Sequence, residues 1–297
     1  MLDVILEDYI EYIRNDKGLS SNTLDAYIRD LKQFKEYLDS NNFKSTIDVN
    51  KTIIITYLMD LQRNGKAAST ISRNLASIRC YYQYLLNENL IKEDPTLNLQ
   101  SPRREKKLPC VLTKEEVDIL LSQPKQNNFK GARDKAILEL LYATGIRVSE
   151  MVALNLDNLD LQLGYLNLED IDVNGRIIPI GKVALDCIHI YIEEYRGEVV
   201  KVDSEKALFV NYNGNRLTRQ GFWKIIKGYT KKCNIDKKIT PHTLRHSFAV
   251  HLLQNGADVK MVQEMLGHSD ISTTHMYLFA TENKEIKDVY EKSHPRA

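Results

Sequence analysis

The sequence predicts a two-domain, mainly α protein with one small antiparallel sheet in the second domain. Three observations carry this. Apolar residues recur every three to four positions through most of the 297-residue chain. That periodicity lapses between Ile91 and Pro109. Strand-like alternation is confined to Leu159 through Ile180. The length suits two domains at roughly 150 residues each. With 43% hydrophobic and 27% charged residues, a mean hydropathy of -0.38 and no apolar run near the ~20 residues of a membrane span, a soluble globular protein is expected. The first residues are acidic where a secretory leader needs a basic stretch, so a cytoplasmic location is expected.

Four amphipathic helices are predicted in the first domain, residues 1–90. Ile5, Leu6, Tyr9 and Ile13 mark the first, which stops near Gly18. Ser20, Ser21 and Asn22 offer capping oxygens to a second, with Leu24, Tyr27, Ile28, Leu31, Phe34 and Leu38 inside. Asp48 is the expected cap of a third, which buries Ile54, Tyr57 and Leu61 and ends at Asn64-Gly65. Ser69 is expected to open a fourth around Ile71, Leu75, Ile78, Tyr82 and Leu85. Short connections make these a bundle. Pro95, Pro102 and Pro109, with Arg103, Arg104, Lys106 and Lys107 among them, then mark a basic linker over 91–110.

The second domain, 111–297, opens with Thr113 and Glu116 at capping-box spacing. A helix from about Ala132 to Ala143 follows, closed by Thr144-Gly145. The alternating stretch around Asn174-Gly175 reads as a two-residue hairpin, and helices are expected from Lys182 onward.

Charge and cysteines narrow the function classes. The net charge of +1 is unevenly distributed, with -2 over residues 1–100 and +3 over the remainder. Between Arg216 and Arg245 stand nine basic residues against Asp236 alone, a strip suited to a phosphate backbone. Cys80, Cys110, Cys187 and Cys233 form no C-x-x-C pair, so reduced thiols are expected, with neither a disulfide scaffold nor a zinc knuckle.

Thr240-Pro241 reads as cap and first residue of a helix on which His242, Arg245 and His246 fall at i, i+3 and i+4. Cationic groups at a helix N-terminus favour an anion. A zinc reading of His242 and His246 lacks a third ligand at useful spacing. A further helix is expected from Asp258 to Gly267, and His268 follows it.

Three segments, Ala143-Thr-Gly-Ile-Arg147-Val-Ser-Glu150, Pro241-His-Thr-Leu-Arg245-His246 and Leu266-Gly-His268 with Thr273-Thr-His-Met-Tyr277, resemble the motif boxes of the tyrosine recombinase (phage integrase) family, most closely its bacterial Xer-type members. The resemblance extends to the first domain, where Gly18-Leu-Ser-x-Asn22-Thr-Leu-x-Ala-Tyr-x-Arg-Asp30 and Thr70-Ile-Ser-Arg73 look like that group's SAM-like core-binding bundle. It implies a site-specific recombinase that cuts and rejoins duplex DNA through a 3'-phosphotyrosyl ester, without metal or other cofactor, for chromosome dimer resolution or for mobile-element integration and excision. The resemblance gives phosphate stabilisation to Arg147 and Arg245, a phosphate hydrogen bond to His268, proton transfer to His242, and the nucleophile to Tyr277. His246 is expected only to brace its helix, and His275 to lie on the surface. Ser20, Asn22, Thr23, Arg29 and Arg73 in the first domain, and Lys224, Lys227 and Lys231 in the second, are candidate DNA contacts. The implied partners are double-stranded DNA and further subunits of a homo- or hetero-tetramer. A tail with Ile286, Val289 and Tyr290 resembles the family's exchanged C-terminal helix.

The chain departs from the family at one position. Aligned on Arg176-Ile-Ile-Pro179, the hairpin lysine that serves these enzymes as general acid falls at Ile171. An isoleucine donates no proton. Lys182, the nearest lysine downstream, lies past the hairpin. A catalytically impaired DNA-binding relative therefore stands as an alternative, and a topoisomerase-like relaxing activity as another.

Overall fold

The computed structural model describes all residues except 1, 17–18, 20, 44, 103–108, 172–174, 201–204, 269–273, 275–276 and 278–297. The chain divides into two units, Met1–Lys106 and Lys107–Ala297. In the first, α1 (Leu2–Asp16), α2 (Ser21–Ser40), α3 (Lys51–Arg63) and α4 (Ala68–Asn87) form the bundle. Their apolar stripes meet in a core that includes Tyr9, Ile13, Phe34, Leu38, Ile54, Leu75 and Leu85. Three of the buried tyrosines keep their hydroxyls bonded, Tyr57 to the Asn74 side chain and Tyr82 to the Thr46 carbonyl, each at 2.9 Å, and Tyr81 to the Thr46 hydroxyl at 2.8 Å. Two helix starts differ from expectation. Asn50, not Asp48, caps α3 by accepting the Ile53 N–H, because its oxygen stands three residues ahead of an orphan donor. Helix α4 begins at Ala68 with no side-chain cap, one residue before Ser69.

In the second unit the capping box forms as expected: Thr113 Oγ1 accepts the Glu116 N–H, and Glu116 accepts the Thr113 N–H, at the start of α5 (Lys114–Leu121). The central helix, α6 (Phe129–Thr144), is buried over most of its circumference. It ends at Gly145, whose φ of +61° is left-handed and whose missing Cβ would stand 2.3 Å from the Phe248 ring. That tight turn delivers Arg147 to the start of α7 (Val148–Ala153).

The sheet has three short antiparallel strands in the order β1 (Leu159–Asp160), β2 (Tyr165–Asn167) and β3 (Ile177–Pro179), with Leu166 opposite Ile178. The two-residue hairpin expected at Asn174-Gly175 is not where the pairing ends. The ladder closes with the Leu168 N–H on the Arg176 carbonyl at 2.9 Å. The Asn167 side chain accepts the Glu169 N–H, an Asx turn that stops β2 early. Asn174 itself is outside the described residues.

Helix α8 (Lys182–Ile190) continues through a π-helical turn at Tyr191–Arg196 into α9 (Gly197–Val199). The uninterrupted helices expected after Lys182 are broken by an extended stretch with isolated bridges, Asn155 to Ala207 and Val210 to Arg216. The reason is local, since the Asn211 side chain accepts the N–H groups of Asn213 and Asn215 and Gly214 is left-handed. Helices α10 (Arg219–Thr230), α11 (Pro241–Gln254) and α12 (Val259–Leu266) complete the described part, with Thr218, Thr240 and Asp258 as their bonded N-caps. The thiols are free: Cys187 and Cys233 are buried, Cys80 is half-buried and Cys110 is exposed. Among the described residues no helix is long and apolar enough to cross a membrane.

Candidate active site

Five side chains singled out by sequence, Arg147, His242, Arg245, His268 and Tyr277, meet around the C-terminal end of α12 and the face of α11. Three guanidiniums hold three successive carbonyls of that helix end. Arg176 Nε donates to the Met265 carbonyl at 2.7 Å, Arg245 to that of Leu266 at 2.6 Å, and Arg147 to that of Gly267 at 2.6 Å. A helix C-terminus leaves such acceptors without partners and carries partial negative charge, so cations are stabilised there. Gly267 makes this approach possible. Its φ is +62°, and a Cβ on it would lie 2.8 Å from the Arg176 guanidinium.

Arg245 is 6% exposed and also donates to the Gly145 carbonyl at 2.6 Å, so it ties the end of α6 to the end of α12. Burial, with Arg147 nearby, pushes its pKa down to about 10, and it remains a cation at neutral pH. Glu150, only 3% exposed, is the counter-charge. It accepts the Arg147 N–H at 2.6 Å and the Arg147 guanidinium at 2.7 Å, and both terminal nitrogens of Arg176 at 3.1 Å. A carboxylate gripped from two sides in this way fixes both guanidiniums.

Tyr277 is 1% exposed, packed with Phe248, Ala249, Val250, Val262 and Leu266. Its hydroxyl lies 2.8 Å from His246 Nδ1, and its ring stacks with that of His268 at 6.2 Å. Burial raises the phenol pKa, while Arg245 opposes the rise. His268 Nδ1 lies 2.9 Å from Thr274 Oγ1. Burial and the three guanidiniums hold His268 near pKa 4, so its imidazole is neutral. His242 is exposed overall, its ring 6.3 Å from that of His246, and partial desolvation of the ring together with Arg245 lowers its pKa. His246, expected only to brace its helix, is thus the group in contact with the tyrosine.

An open groove of about 890 Å³ between β3 and α12 leads to this centre, lined by Arg176, Ile177, Lys260 and His268 among others. Ile171 is half-buried against the catalytic-unit core, and its N–H donates to the Leu168 carbonyl at 3.1 Å.

The candidate DNA contacts divide. Lys224 and Lys227 are exposed along α10, and Lys231 caps its C-terminus in the open. The helix is fixed below them by the Tyr229 hydroxyl on Asp134 at 2.9 Å, with Arg133 on the same carboxylate at 2.7 Å. The basic strip is not one free surface, however. Arg216 donates to the carbonyls of Val152 and Leu154, Lys237 pairs with Glu116 at 2.5 Å, and Arg245 is buried at the centre. In the first unit Asn22 and Arg29 are exposed and Thr23 is half-buried. Arg73 makes a forked pair with Asp30, both bonds 2.8 Å, and so braces α4 against α2. Ser20, His275 and the tail with Ile286, Val289 and Tyr290 lie outside the described residues.

Sequence reasoning did not assign Glu150, Arg176 or His246 to the site. Glu150 had a signal, because it stands three residues beyond Arg147 at the spacing that lets a carboxylate reach back to the first N–H of a helix. His246 shares the His242 face at i+4. Arg176 had none, since its partners are 26 and 89 positions away.

Comparisons with known proteins bear on the family and the fold. The phage integrase family profile matches residues 110–284, and the phage integrase N-terminal SAM-like domain matches 6–89. The chain is 47% identical over 299 residues to the tyrosine recombinase XerD of Oceanobacillus iheyensis, covering 100% of both. It is 45% identical to the XerD of Halalkalibacterium halodurans, covering 98% of both. Its fold resembles XerH recombinase bound to a palindromic difH substrate, with a TM-score of 0.77, 22% identity, and coverage of 96% of this chain and 83% of that one. A lambda integrase dimer bound to a core site aligns with a TM-score of 0.72 at 17% identity, covering 93% of this chain and 94% of that one. With its three motif boxes on one centre and full-length relatives of that kind, the chain belongs to the phage integrase family, as a Xer-type tyrosine recombinase.

Proposed function

We propose that the protein is a site-specific recombinase that cuts and rejoins duplex DNA through a 3'-phosphotyrosyl ester on Tyr277. The observation that carries this reading is the placing of Arg147, Arg245 and His268 at one helix end, next to Tyr277. Attack on a phosphodiester builds negative charge on the non-bridging oxygens. Fixed guanidinium forks and a neutral imidazole N–H donor stabilise that charge without reorganising. In this reading His242 serves proton transfer near the nucleophile, Lys224, Lys227 and Lys231 follow the phosphate backbone, and Asn22, Thr23 and Arg29 of the first unit grip the same duplex. The working assembly is a homo- or hetero-tetramer on DNA in the cytoplasm, acting in chromosome dimer resolution or in element mobility. The non-cleaving alternative has less support, because the complete arginine, histidine and tyrosine set is present and the full-length relatives are named as recombinases.

The test begins with selection of bound sequences from random duplex DNA, followed by a nicked suicide duplex carrying the selected site. A covalent adduct on Tyr277 is expected. A protein that binds this duplex tightly and leaves no adduct is a DNA-binding relative only.

Two further outcomes follow from the charge distribution. Binding should weaken steeply with salt, with a log–log slope of nearly one unit per phosphate neutralised. Lys224→Ala and Lys227→Ala should each reduce that slope by about 0.9, measured by fluorescence anisotropy between low and moderate salt; an unchanged slope would remove α10 from the interface. Because guanidiniums supply the positive charge at the phosphate, EDTA should leave adduct formation unchanged. Loss of the adduct with EDTA and its recovery with magnesium would contradict the mechanism.

A further inference from the structure

We infer that Arg176 is a positioning residue for strand cleavage: it offsets the charge of Glu150 and so leaves the positive charge of Arg147 to the scissile phosphate. The inference rests on the recombinase reading above and deepens it, by adding a group that acts on the reaction through another arginine.

The geometry of the shared carboxylate carries the argument. Both terminal nitrogens of Arg176 reach Glu150 at 3.1 Å, and the Arg147 guanidinium reaches it at 2.7 Å. The Arg147 side chain is 35% exposed, whereas those of Arg176 and Glu150 are 9% and 4% exposed. Arg147 is therefore the partner open to a phosphate, and Arg176 is the one kept for the carboxylate. Arg176 is fixed there at two further points. Its Nε donates to the Met265 carbonyl at 2.7 Å, and its own carbonyl accepts the Leu168 N–H at 2.9 Å, where the pairing of β2 with β3 closes.

The charge balance gives this arrangement its purpose. A buried carboxylate holding a single cation cancels most of that cation's charge. Arg147 alone on Glu150 would make a pair close to neutral toward a phosphate. With Arg176 on the same carboxylate the three groups together stay positive, since guanidiniums do not lose their protons near neutral pH. Positive charge fixed in advance is what the developing charge of the transition state requires. The field of Arg176 also extends through the centre, because it is among the causes that lower the pKa values of Arg245 and His268. A second effect is geometric. Held from the Arg176 side, Glu150 keeps the backbone N–H and guanidinium of Arg147 in one orientation.

The full-length protein is tested on the suicide duplex described above, as the single-turnover rate of adduct formation at saturating DNA. Arg176→Met should lower the rate by about 10- to 100-fold, somewhat less than the ~10²–10³ that loss of a donor touching the oxyanion costs. DNA affinity should be unchanged. The deciding measurement is a double-mutant cycle with Glu150→Gln, which removes the charge that Arg176 offsets. In the Glu150→Gln background the further loss from Arg176→Met should shrink to less than about threefold, because two groups that act on one another do not add. A role confined to holding α12 through the Met265 carbonyl would instead give the same loss in both backgrounds. If Arg176→Met folds poorly, Arg176→Lys and Arg176→Gln make the same distinction, since lysine keeps the charge and glutamine keeps only a donor. The lysine variant should then cleave about tenfold faster than the glutamine variant.

An Arg176→Met protein that cleaves as fast as wild type overturns the inference. So does an undiminished loss in the Glu150→Gln background, or a glutamine variant as fast as the lysine one. Weakened DNA binding with an unchanged rate overturns it too and makes Arg176 a DNA contact. Failure of the wild-type protein to form any adduct on a duplex it binds overturns the recombinase reading, and the inference with it.

Discussion

Tyr277→Phe should bind the selected duplex as tightly as wild type and form no covalent adduct at all. The two halves of this result have separate causes. Binding is preserved because the change removes one oxygen from a side chain that is 1% exposed and held by its ring among Phe248, Ala249, Val250, Val262 and Leu266. The lost hydrogen bond to His246 costs about 0.5–1.5 kcal/mol net, which a melting curve would show as a shift of a few degrees. The chemical loss is complete because the phosphotyrosyl ester needs that oxygen. Labelled suicide DNA resolved on a denaturing gel reads both halves, with binding checked on a native gel. A residual adduct in the Tyr277→Phe variant would move the nucleophile to another residue, and the assignment of Tyr277 would fall.

How much of this was legible beforehand differs between fold and site. The four-helix bundle followed from periodicity, because each helix buries one stripe and its neighbours are close in sequence. The Thr113–Glu116 box and the stop at Gly145 followed from residue chemistry, since few residues fill those positions well. The cap of α3 fell at Asn50 and not Asp48 because two polar residues nearby could serve, whereas α4 begins at Ala68 with no side-chain cap for the sequence to show. The hairpin pairing closes at Leu168 and Arg176, where the Asn167 side chain accepts the Glu169 N–H, while Asn174 of the expected turn lies outside the described residues.

At the site, the motif residues were visible because they recur in boxes, whereas the links between boxes were not. The buried bridge from Glu150 to Arg147 and Arg176 depends on how α7, β3 and α12 come together in space. The same applies to His246. On a helical wheel it shares the face of His242, and only the position of Tyr277 shows which of the two rings makes the contact. The basic strip from Arg216 to Arg245 shows the opposite error, because sequence counts charges without showing that Arg216, Lys237 and Arg245 already have internal partners.

Ile171→Lys should raise the rate of adduct formation on an ordinary phosphodiester, by up to the ~10²–10⁴ that general acid catalysis contributes. The native chain offers no proton donor at that position for the departing 5'-oxygen. Isoleucine there is half-buried against the core, so a lysine would run its methylene stem along the same apolar surface and carry its ammonium outward. Exposed Glu169 and Asp170 next to it would pair with the ammonium and raise its pKa, which blunts the gain. A duplex with sulfur in place of the bridging 5'-oxygen separates the causes, because a thiolate leaves without needing a proton. The native protein should cleave that duplex nearly as fast as the Ile171→Lys variant, while the two should differ on the oxygen substrate. Adding Tyr277→Phe should abolish adducts in both backgrounds. If native protein and variant cleave the oxygen substrate equally fast, another residue already protonates the leaving group and the role of position 171 has been taken over elsewhere in the site. If both bind the sulfur duplex and neither cleaves it, the chain keeps the family's grip on DNA without its chemistry.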